Sequence, residues 1–172
     1  RIGGQYRHEE VQGWSNACEN GIANIKELYV PINIDNFHWI FLRVRVEAKR
    51  IELYDSQGLN TENRQYMEDM RRYMYDELTS GIPEEQRPSY NIWKREWSCQ
   101  DKSRNSPKQL NSNDCGVFTL VSIYLLSRGV ELSESSYDQQ AIVRRKVWRN
   151  LTHLILQKNQ LQSQEGSTPY AR

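Results

Sequence analysis

Apolar and polar residues alternate along three short stretches in the first third of the chain. These stretches are residues 27–34, 38–46 and 50–55. Alternation places successive side chains on opposite faces of a strand, so each stretch predicts a β-strand. Pro31 interrupts the first stretch, and Asp35-Asn36 after it predicts a turn.

Other stretches have helical spacing. Residues 61–78 repeat an apolar side chain every three or four positions and predict a helix that buries one face. Residues 117–126 are apolar nearly all round, which predicts a helix buried in the core. Weaker patterns predict one short helix within residues 1–26, a further strand at 90–97 and a final helix at 137–157.

The second and third predicted strands form a hairpin with two acid–base residues on one face. His38 shares the parity of the apolar side chains of its strand. If a two-residue turn pairs Val46 with Ile51, Asp55 falls on the same face, opposite Leu42. That register leaves Asp55 about 13 Å along the strand from His38. The pattern therefore predicts that the two residues are neighbours, and contact requires strand twist, a bulge or a different turn.

Length and charge exclude several classes of protein. A chain of 172 residues fits one domain with a real core. It has 23 basic and 22 acidic residues, a formal net charge of +1, which argues against a dedicated nucleic-acid binder. The sequence contains no apolar run as long as a membrane span and no secretory leader, so we expect neither a membrane nor a nucleic acid as partner.

The cysteines indicate a reducing compartment. Three cysteines, Cys18, Cys99 and Cys115, are too few for a disulfide framework and leave one unpaired. Neither they nor the histidines have zinc-ligand spacing, so we expect no metal and no cofactor. The nucleus or the cytoplasm is the expected location.

One of these cysteines stands where its thiol can become reactive. Cys115 ends a polar run and precedes the apolar residues 117–126. Asn111, Asn113 and Asp114 favour a tight loop and can cap a helix. Cys115 is therefore predicted in the first turn of a core helix, where free backbone N–H groups and the helix dipole stabilise a thiolate. Many cysteines beside apolar runs are inert core residues, so this stretch alone leaves a structural role open.

A cysteine protease requires a thiol nucleophile, a base, a group that orients the base, and donors for the oxyanion. Cys115 is the candidate nucleophile, His38 the base, and Asp55 the acceptor that fixes the imidazole. Gln109 offers a side-chain N–H to the oxyanion, beside the backbone N–H of Cys115. We expect the Cys115 helix to cover the hairpin face that holds His38 and Asp55. Each residue also has a structural reading, as a hydrogen-bonded strand histidine, a turn aspartate or a solvated glutamine.

Four motifs occur in an order that resembles a known family. They are His38-Trp39, Tyr54-Asp55-Ser56, Gln109 and Asn113-Asp114-Cys115-Gly116. The chain resembles the SUMO-specific (sentrin-type) proteases, the cysteine peptidases that process ubiquitin-like proteins. An aspartate 17 residues after the histidine and a glutamine six residues before the cysteine agree with that family. The likeness runs from about Val11 to about Leu156.

The resemblance implies a papain-like α+β fold, in which a central helix bearing the cysteine packs on a mixed sheet bearing the histidine and the aspartate. It implies a thiol peptidase or isopeptidase that cleaves after the carboxy-terminal diglycine of SUMO or another ubiquitin-like modifier. Trp39 would clamp that tail, and Gln57 and Asn113 would line the same groove. A diglycine fits because only glycine lets a backbone and aromatic rings approach so closely.

The resemblance also sets expectations about the extent of the domain. Residues 1–157 are expected to form the catalytic domain, and residues 158–172 a frayed polar tail. Members of the family carry an amino-terminal lobe before the region where this chain starts. We therefore expect the domain to be incomplete at that end, with the lobe removed or supplied by a separate segment.

Two other functions stay open on the sequence. Bacterial-effector acetyltransferases resemble these proteases in their histidine, acid and cysteine, but they transfer an acetyl group; Trp39 favours the protease. A module that binds a modifier without cleaving it is the other alternative, left open by the expected missing lobe.

Overall fold

The structure, a computed structural model, describes residues 6–18, 21–58 and 60–133. Its centre is a four-stranded mixed sheet with strand order β1-β2-β3-β4. The strands are β1 Glu27–Ile34, β2 His38–Arg45, β3 Arg50–Tyr54 and β4 Ser98–Asp101. The first three are antiparallel neighbours, and β4 runs parallel to β3. Sheet and helices together form the expected α+β architecture.

The α-helices of the described residues are α1 Arg64–Thr79, α2 Tyr90–Trp93 and α3 Cys115–Ser127. Short 3₁₀ helices lie at His8–Glu10, Trp14–Ala17, Ile22–Asn24, Thr61–Asn63, Glu84–Gln86, Lys94–Glu96 and Ser103–Asn105. The predicted helices at 61–78 and 117–126 are confirmed as α1 and α3. Within the described ranges, no helix combines the length and the apolar character needed to cross a bilayer.

The turns of the two hairpins determine where the strand ends lie. Between β1 and β2, Asp35 and Asn36 form the predicted turn, with left-handed φ angles of 52° and 58°. Pro31 lies within β1, which borders the sheet, a position that tolerates a residue without a backbone N–H.

The turn between β2 and β3 is longer than the two-residue turn that would pair Val46 with Ile51, so a different turn, one of the three possibilities that the sequence left open, brings Asp55 towards His38. Ile51 pairs with Val44 instead, and residues 46–49 form the turn, with Lys49 in the left-handed region at φ 46°. A shift of two positions leaves the parity of the strand unchanged. It moves Asp55 two residues closer to His38, to the position after Tyr54, which pairs with Phe41.

The two faces of the sheet have different covers, and the expected cover of the His38 face is wrong. That face packs against α1, not α3. Its cluster includes Ile40, Leu42, Val44, Ile51 and Leu53 from the sheet and Met67, Met70, Tyr73 and Met74 from α1. On the opposite face, Phe41 and Tyr54 stack with ring centroids 4.7 Å apart and pack against Leu126 of α3. Both faces of the hairpin are therefore apolar near β2's start, so each can bury a helix.

The strand predicted at residues 90–97 is also wrong. Tyr90 and Trp93 lie on α2 and pack edge-on against Tyr75 of α1, with ring centroids 5.4 Å away in each case. The carbonyl of Ser89 accepts from the N–H groups of both Ile92 and Trp93, which begins the helical turn. The strand of this region instead begins at Ser98, after α2 and a 3₁₀ turn. This strand, β4, is short and polar, and its residues do not alternate between apolar and polar.

The described residues before β1, 6–18 and 21–26, contain three separate 3₁₀ turns in place of the single short helix predicted within residues 1–26. Gly13 precedes the second turn, and Gly21, at φ 73°, precedes the third, so glycines punctuate the segment. The predicted final helix at 137–157 and the predicted tail at 158–172 lie outside the described residues.

Candidate active site

His38 and Asp55 meet at one end of the sheet. His38 is the first residue of β2, and Asp55 directly follows β3. The Nε2 atom of His38 lies 2.8 Å from Oδ1 of Asp55, and both residues are buried, at 8% and 3% exposure. The shifted hairpin register thus brings into contact two residues that a two-residue turn would hold apart.

Asp55 is held by more than its histidine. Its Oδ1 also accepts a hydrogen bond from the backbone N–H of Gln57 at 2.8 Å, and its Oδ2 accepts one from Nδ2 of Asn63 at 3.0 Å. Its own N–H donates to Oγ of the fully buried Ser103 at 3.0 Å. Both oxygens of the carboxylate are therefore fixed, and so is its plane.

The other nitrogen of His38 faces a different environment. Its Nδ1 atom is buried and has no hydrogen-bond partner in the part of the chain that the structure describes. With Nε2 committed to Asp55, Nδ1 is the atom through which the imidazole can accept or give a proton.

Cys115 is the first residue of α3 and is buried at 5% exposure. The capping expected of the preceding loop is wrong in one respect. Asp114 occupies the N-cap position but makes no side-chain capping bond, and Asn111 instead orders the loop by accepting from the N–H groups of Asn113 and Asp114 at 3.0 Å each. The N-cap side chain therefore does not occupy the N–H groups at the start of α3, and such N–H groups can stabilise an anion.

The structure joins Cys115 to His38 through their chain neighbours. A Cβ placed on Gly116 would lie 3.4 Å from Cδ1 of the Trp39 indole, so the first turn of α3 packs against the residue that follows His38. Among the described contacts, no hydrogen bond links the Cys115 thiol to the imidazole. The start of α3 therefore lies next to the start of β2, but the Cys115 thiol and His38 Nδ1 are not hydrogen-bonded to each other.

Gln109 is buried and doubly anchored, which excludes a solvated loop glutamine. Its N–H donates to the carbonyl of Ser56 at 2.9 Å, and its Oε1 accepts from the Ser56 hydroxyl at 2.6 Å. One hydrogen of its Nε2 goes to the carbonyl of Asn111 at 2.6 Å. The second hydrogen of that amide is left for another acceptor.

A groove of about 660 Å³ opens beside Cys115. It is lined by Pro31, Asn36, Phe37 and Trp39 from the β1–β2 hairpin and by Ser112, Asn113, Cys115, Gly116, Val117, Thr119 and Leu120 from the loop and α3. Phe37, Trp39 and Leu120 are exposed by 75%, 37% and 45%. The expectation that α3 is buried all round is therefore wrong along this side.

Two of the three residues expected to line the groove lie in its wall, and the third does not. Trp39 and Asn113 lie in its wall. Gln57 is exposed and is not among the described lining residues; its backbone N–H instead holds Asp55.

Sequence reasoning missed the polar residues behind the site. Asn63, Ser56 and Ser103 hold Asp55 and Gln109 through side-chain hydrogen bonds. Asn63 lies inside the helix predicted at 61–78, so the sequence pattern assigns it only a place on a helix face. Nothing in the local pattern indicates that its partner is Asp55.

The other cysteines lie elsewhere. Cys18 is half-buried after a 3₁₀ turn and Cys99 is on β4, and neither lines the groove. Cys99 is exposed as a residue, but desolvation around its sulfur raises the pKa of the thiol, with Arg71 opposing. Such a thiol is a poor nucleophile at neutral pH. Within the described ranges, no cluster of three or more His, Cys, Asp or Glu residues could hold a metal ion.

Comparison with solved structures shows a shared fold. The SUMO protease Ulp1 with its catalytic cysteine oxidized to a sulfonic acid superposes with a TM-score of 0.67 at 22% identity, covering 88% of this chain and 62% of that one. The carboxy-terminal Ulp1 protease domain in complex with Smt3, the yeast ortholog of SUMO, gives a TM-score of 0.63 at 21% identity, covering 81% and 57%. The papain-like arrangement expected from the sequence is confirmed.

Curated relatives agree with the structures. Sentrin-specific protease 5 of Homo sapiens is 28% identical over 124 residues, which are 72% of this chain and 15% of the relative. Ubiquitin-like-specific protease 1 of Saccharomyces cerevisiae is 22% identical over 151 residues, 87% of this chain and 21% of the relative. The chain thus spans about a fifth or less of these relatives. The family description "Ulp1 protease family, C-terminal catalytic domain" matches residues 3–159, and the chain belongs to this family.

Proposed function

We propose that this chain is a cysteine peptidase or isopeptidase that cleaves after the carboxy-terminal diglycine of SUMO or a related ubiquitin-like modifier. One observation carries the proposal. Asp55 fixes Nε2 of His38 at 2.8 Å and leaves the buried Nδ1 without a partner among the described residues, at the strand end that packs on the Cys115 turn. A base oriented in this way, next to a thiol at a helix start, is the arrangement required for thiol catalysis.

The reaction begins from a thiolate on Cys115 and an imidazolium on His38. The sulfur electron pair forms a bond to the carbonyl carbon of the last glycine, and the carbonyl electrons move onto its oxygen. The free hydrogen of Gln109 Nε2 and the backbone N–H of Cys115 are the proposed donors to that oxyanion. The carbon–nitrogen bond then breaks, and His38 gives its Nδ1 proton to the leaving amine.

Water completes the cycle. The acyl group is now held on Cys115 as a thioester, and neutral His38 accepts a proton from the attacking water. Loss of the sulfur restores the thiolate beside the imidazolium and releases the modifier as a carboxylic acid, which gives its remaining proton to solvent. Each proton that leaves His38 in the first half of the reaction returns in the second, so no cofactor is needed.

The groove suits a substrate tail without side chains. Trp39 and Gly116 lie side by side in the groove wall, where a Cβ on Gly116 would be in van der Waals contact with the indole at 3.4 Å. We propose that a glycine pair lies flat against this wall, because a tail residue with a side chain could not bring its backbone as close to the ring. Asn113 at the groove wall is proposed to bind the tail backbone, and Gln57 contributes through its hold on Asp55.

The proposed partners are SUMO or another ubiquitin-like protein and its conjugates. The Ulp1 domain solved with Smt3 supports this class of partner for a chain with the same fold. The relatives are several times longer than this chain, so a further segment completing the modifier-binding surface is also proposed. The three unpaired thiols support a reducing location, the nucleus or the cytoplasm.

A panel of ubiquitin-like modifiers that carry a carboxy-terminal electrophile tests the proposal. We expect covalent capture of at least one modifier by the wild-type chain, and none by Cys115→Ala. The wild-type chain should also cleave a fluorogenic peptide that ends in diglycine. Acetyl transfer without peptide cleavage would indicate the acetyltransferase, and modifier binding without capture would indicate a binding module; either result overturns the proposal.

A further inference from the structure

Asn63 occupies an N-cap position without performing a cap's usual role. It directly precedes α1, a helix of 16 residues. An asparagine there ordinarily accepts a hydrogen bond from an N–H of the first helical turn. Asn63 makes no such bond, and its side chain is 3% exposed. The amide instead donates from Nδ2 to Oδ2 of Asp55 at 3.0 Å.

This bond completes the set of donors to the Asp55 carboxylate. Oδ1 receives His38 and the N–H of Gln57, while Oδ2 receives Asn63. Without Asn63, the carboxylate would be held through one oxygen and could rotate about its Cβ–Cγ bond. The face that Asp55 presents to the imidazole depends on that rotation.

We propose that Asn63 is a positioning residue that fixes the plane of the Asp55 carboxylate and, through it, the orientation of His38. The inference rests on the proposed function, because it assigns His38 the role of the base. Asn63 touches neither the reacting atoms nor the groove. It acts from the start of α1, an element that sequence reasoning treated only as a packing helix.

A charged side chain at position 63 should make activity depend on pH, an effect that a purely packing role for Asn63 would not produce. Replacing Asn63 by aspartate keeps the shape but puts two carboxylates in contact, which cannot both stay ionised without repulsion. While the pair retains one proton, a carboxylic acid at position 63 can donate to Asp55 in place of the amide. When the pair loses that proton, this hydrogen bond is lost. Among the described residues, the titratable groups in hydrogen-bond contact with Asp55 are His38 from β2 and Lys108, whose Nζ lies 3.5 Å from the Asp55 carbonyl.

The test compares N63D, N63A and N91D by their kcat/KM on a cleaved diglycine substrate from pH 5.5 to pH 8.5. Asn91 is exposed on α2, so N91D adds the same charge away from the site. We expect N63A to lose about tenfold, as for one hydrogen bond to a charged group. The ratio of N63D to wild type should rise at least fivefold as the pH falls, whereas the N91D ratio stays flat.

A second measurement does not depend on the substrate. In a chain with Cys18→Ser and Cys99→Ser, iodoacetamide reports the thiolate of Cys115 alone. At pH 6, N63A should alkylate several-fold more slowly than wild type, because a misplaced imidazolium no longer stabilises the anion. Melting curves check that each variant is folded. Recovery of N63D activity at low pH also requires that this variant be folded.

The failures are distinguishable. If wild type cleaves and N63D keeps a constant ratio to wild type across the pH range, the positioning role is overturned and the function stands. If no diglycine substrate is cleaved but N63A still slows alkylation at pH 6, the positioning role stands and the proposed function fails. Equal alkylation of wild type and N63A at pH 6 also overturns the positioning role.

Discussion

At the Asp55 end of the site, both carboxylate oxygens and the backbone N–H have hydrogen-bond partners, whereas at the Cys115 end Phe37, Trp39 and Leu120 are exposed to solvent. The first end is built from strand ends and the start of α1, and the second from a hairpin turn and one side of α3. A base must be held in one orientation, since a small displacement of a proton acceptor slows catalysis severely. A groove that is proposed to take a protein tail must remain open. Substitutions at each end can test this division between a fixed and an open end.

Removing the proposed nucleophile should have the largest effect. We expect Cys115→Ala to lower kcat at least about 10⁴-fold, the order seen when a catalytic nucleophile is removed. Cys18→Ala and Cys99→Ala are the matched controls, and both should retain turnover. Hydrolysis of a diglycine fluorogenic peptide measures all three, and equal loss in all three would show that the nucleophile is misassigned.

Asp55→Asn should be the next largest loss, about 10²- to 10⁴-fold in kcat, because the amide favours the wrong tautomer of His38. The Asp55 carboxylate accepts three hydrogen bonds through two oxygens, whereas the amide of asparagine has only one acceptor oxygen. A KM close to wild type would place the defect in the base and not in the groove. Retention of more than a tenth of wild-type kcat would contradict the assigned role.

Ser103→Ala tests the fixed end through stability. Its hydroxyl accepts from the Asp55 N–H at a position with 0% exposure, so the change leaves a buried donor unpaired. The expected cost is about 1–3 kcal/mol of unfolding free energy, measured by urea denaturation. Ser112→Ala, in the groove wall, is the control and should change stability by less than about 0.5 kcal/mol. Equal effects would remove the distinction between the two ends.

Trp39→Ala tests the open end through substrate binding. Trp39 is 37% exposed, so its removal should change melting little while losing the surface that is proposed to contact the tail. We expect about a tenfold loss of kcat/KM on a diglycine substrate, carried mostly by KM. A loss of folding comparable to that of Ser103→Ala would show that Trp39 is a core residue and not part of a groove.

Gly116→Ala should have the smallest effect. Its added Cβ would meet Cδ1 of Trp39 at 3.4 Å, close contact without overlap. We therefore expect less than about a threefold change in kcat/KM, since a single methyl group in contact contributes little. Gly116→Val brings further carbons toward the ring and should lower kcat/KM more than alanine does. The order glycine, alanine, valine in a single assay checks the narrowness of the groove.

The sequence predicted the elements whose pattern repeats. Alternation located β1, β2 and β3, and helical spacing located α1 and α3, because burying one face imposes a period on the residues. Parity placed His38 and Asp55 on one face, and an even shift in register could not change that result. The resemblance to a family led to the same pair and to Cys115.

What the sequence did not predict depends on single local contacts. The turn at residues 46–49 relies on Lys49 in a left-handed conformation, which few lysines adopt, so the sequence could not indicate which turn joins β2 to β3. Tyr90 and Trp93 favour strands by propensity, but their rings pack on Tyr75, and tertiary contact prevailed. The hydrogen bond from Asn63 to Asp55 joins residues eight apart without any periodic signal.

Pro31 carries a consequence for how this molecule behaves at high concentration. The eight-residue strand that contains it forms the border of the sheet, with a single strand neighbour in the described part of the chain. Such borders can template a strand from another molecule, the first step toward aggregation. The proline ring interrupts the row of amide hydrogens on which such templating depends, so we expect one imino acid to weaken self-association along this border.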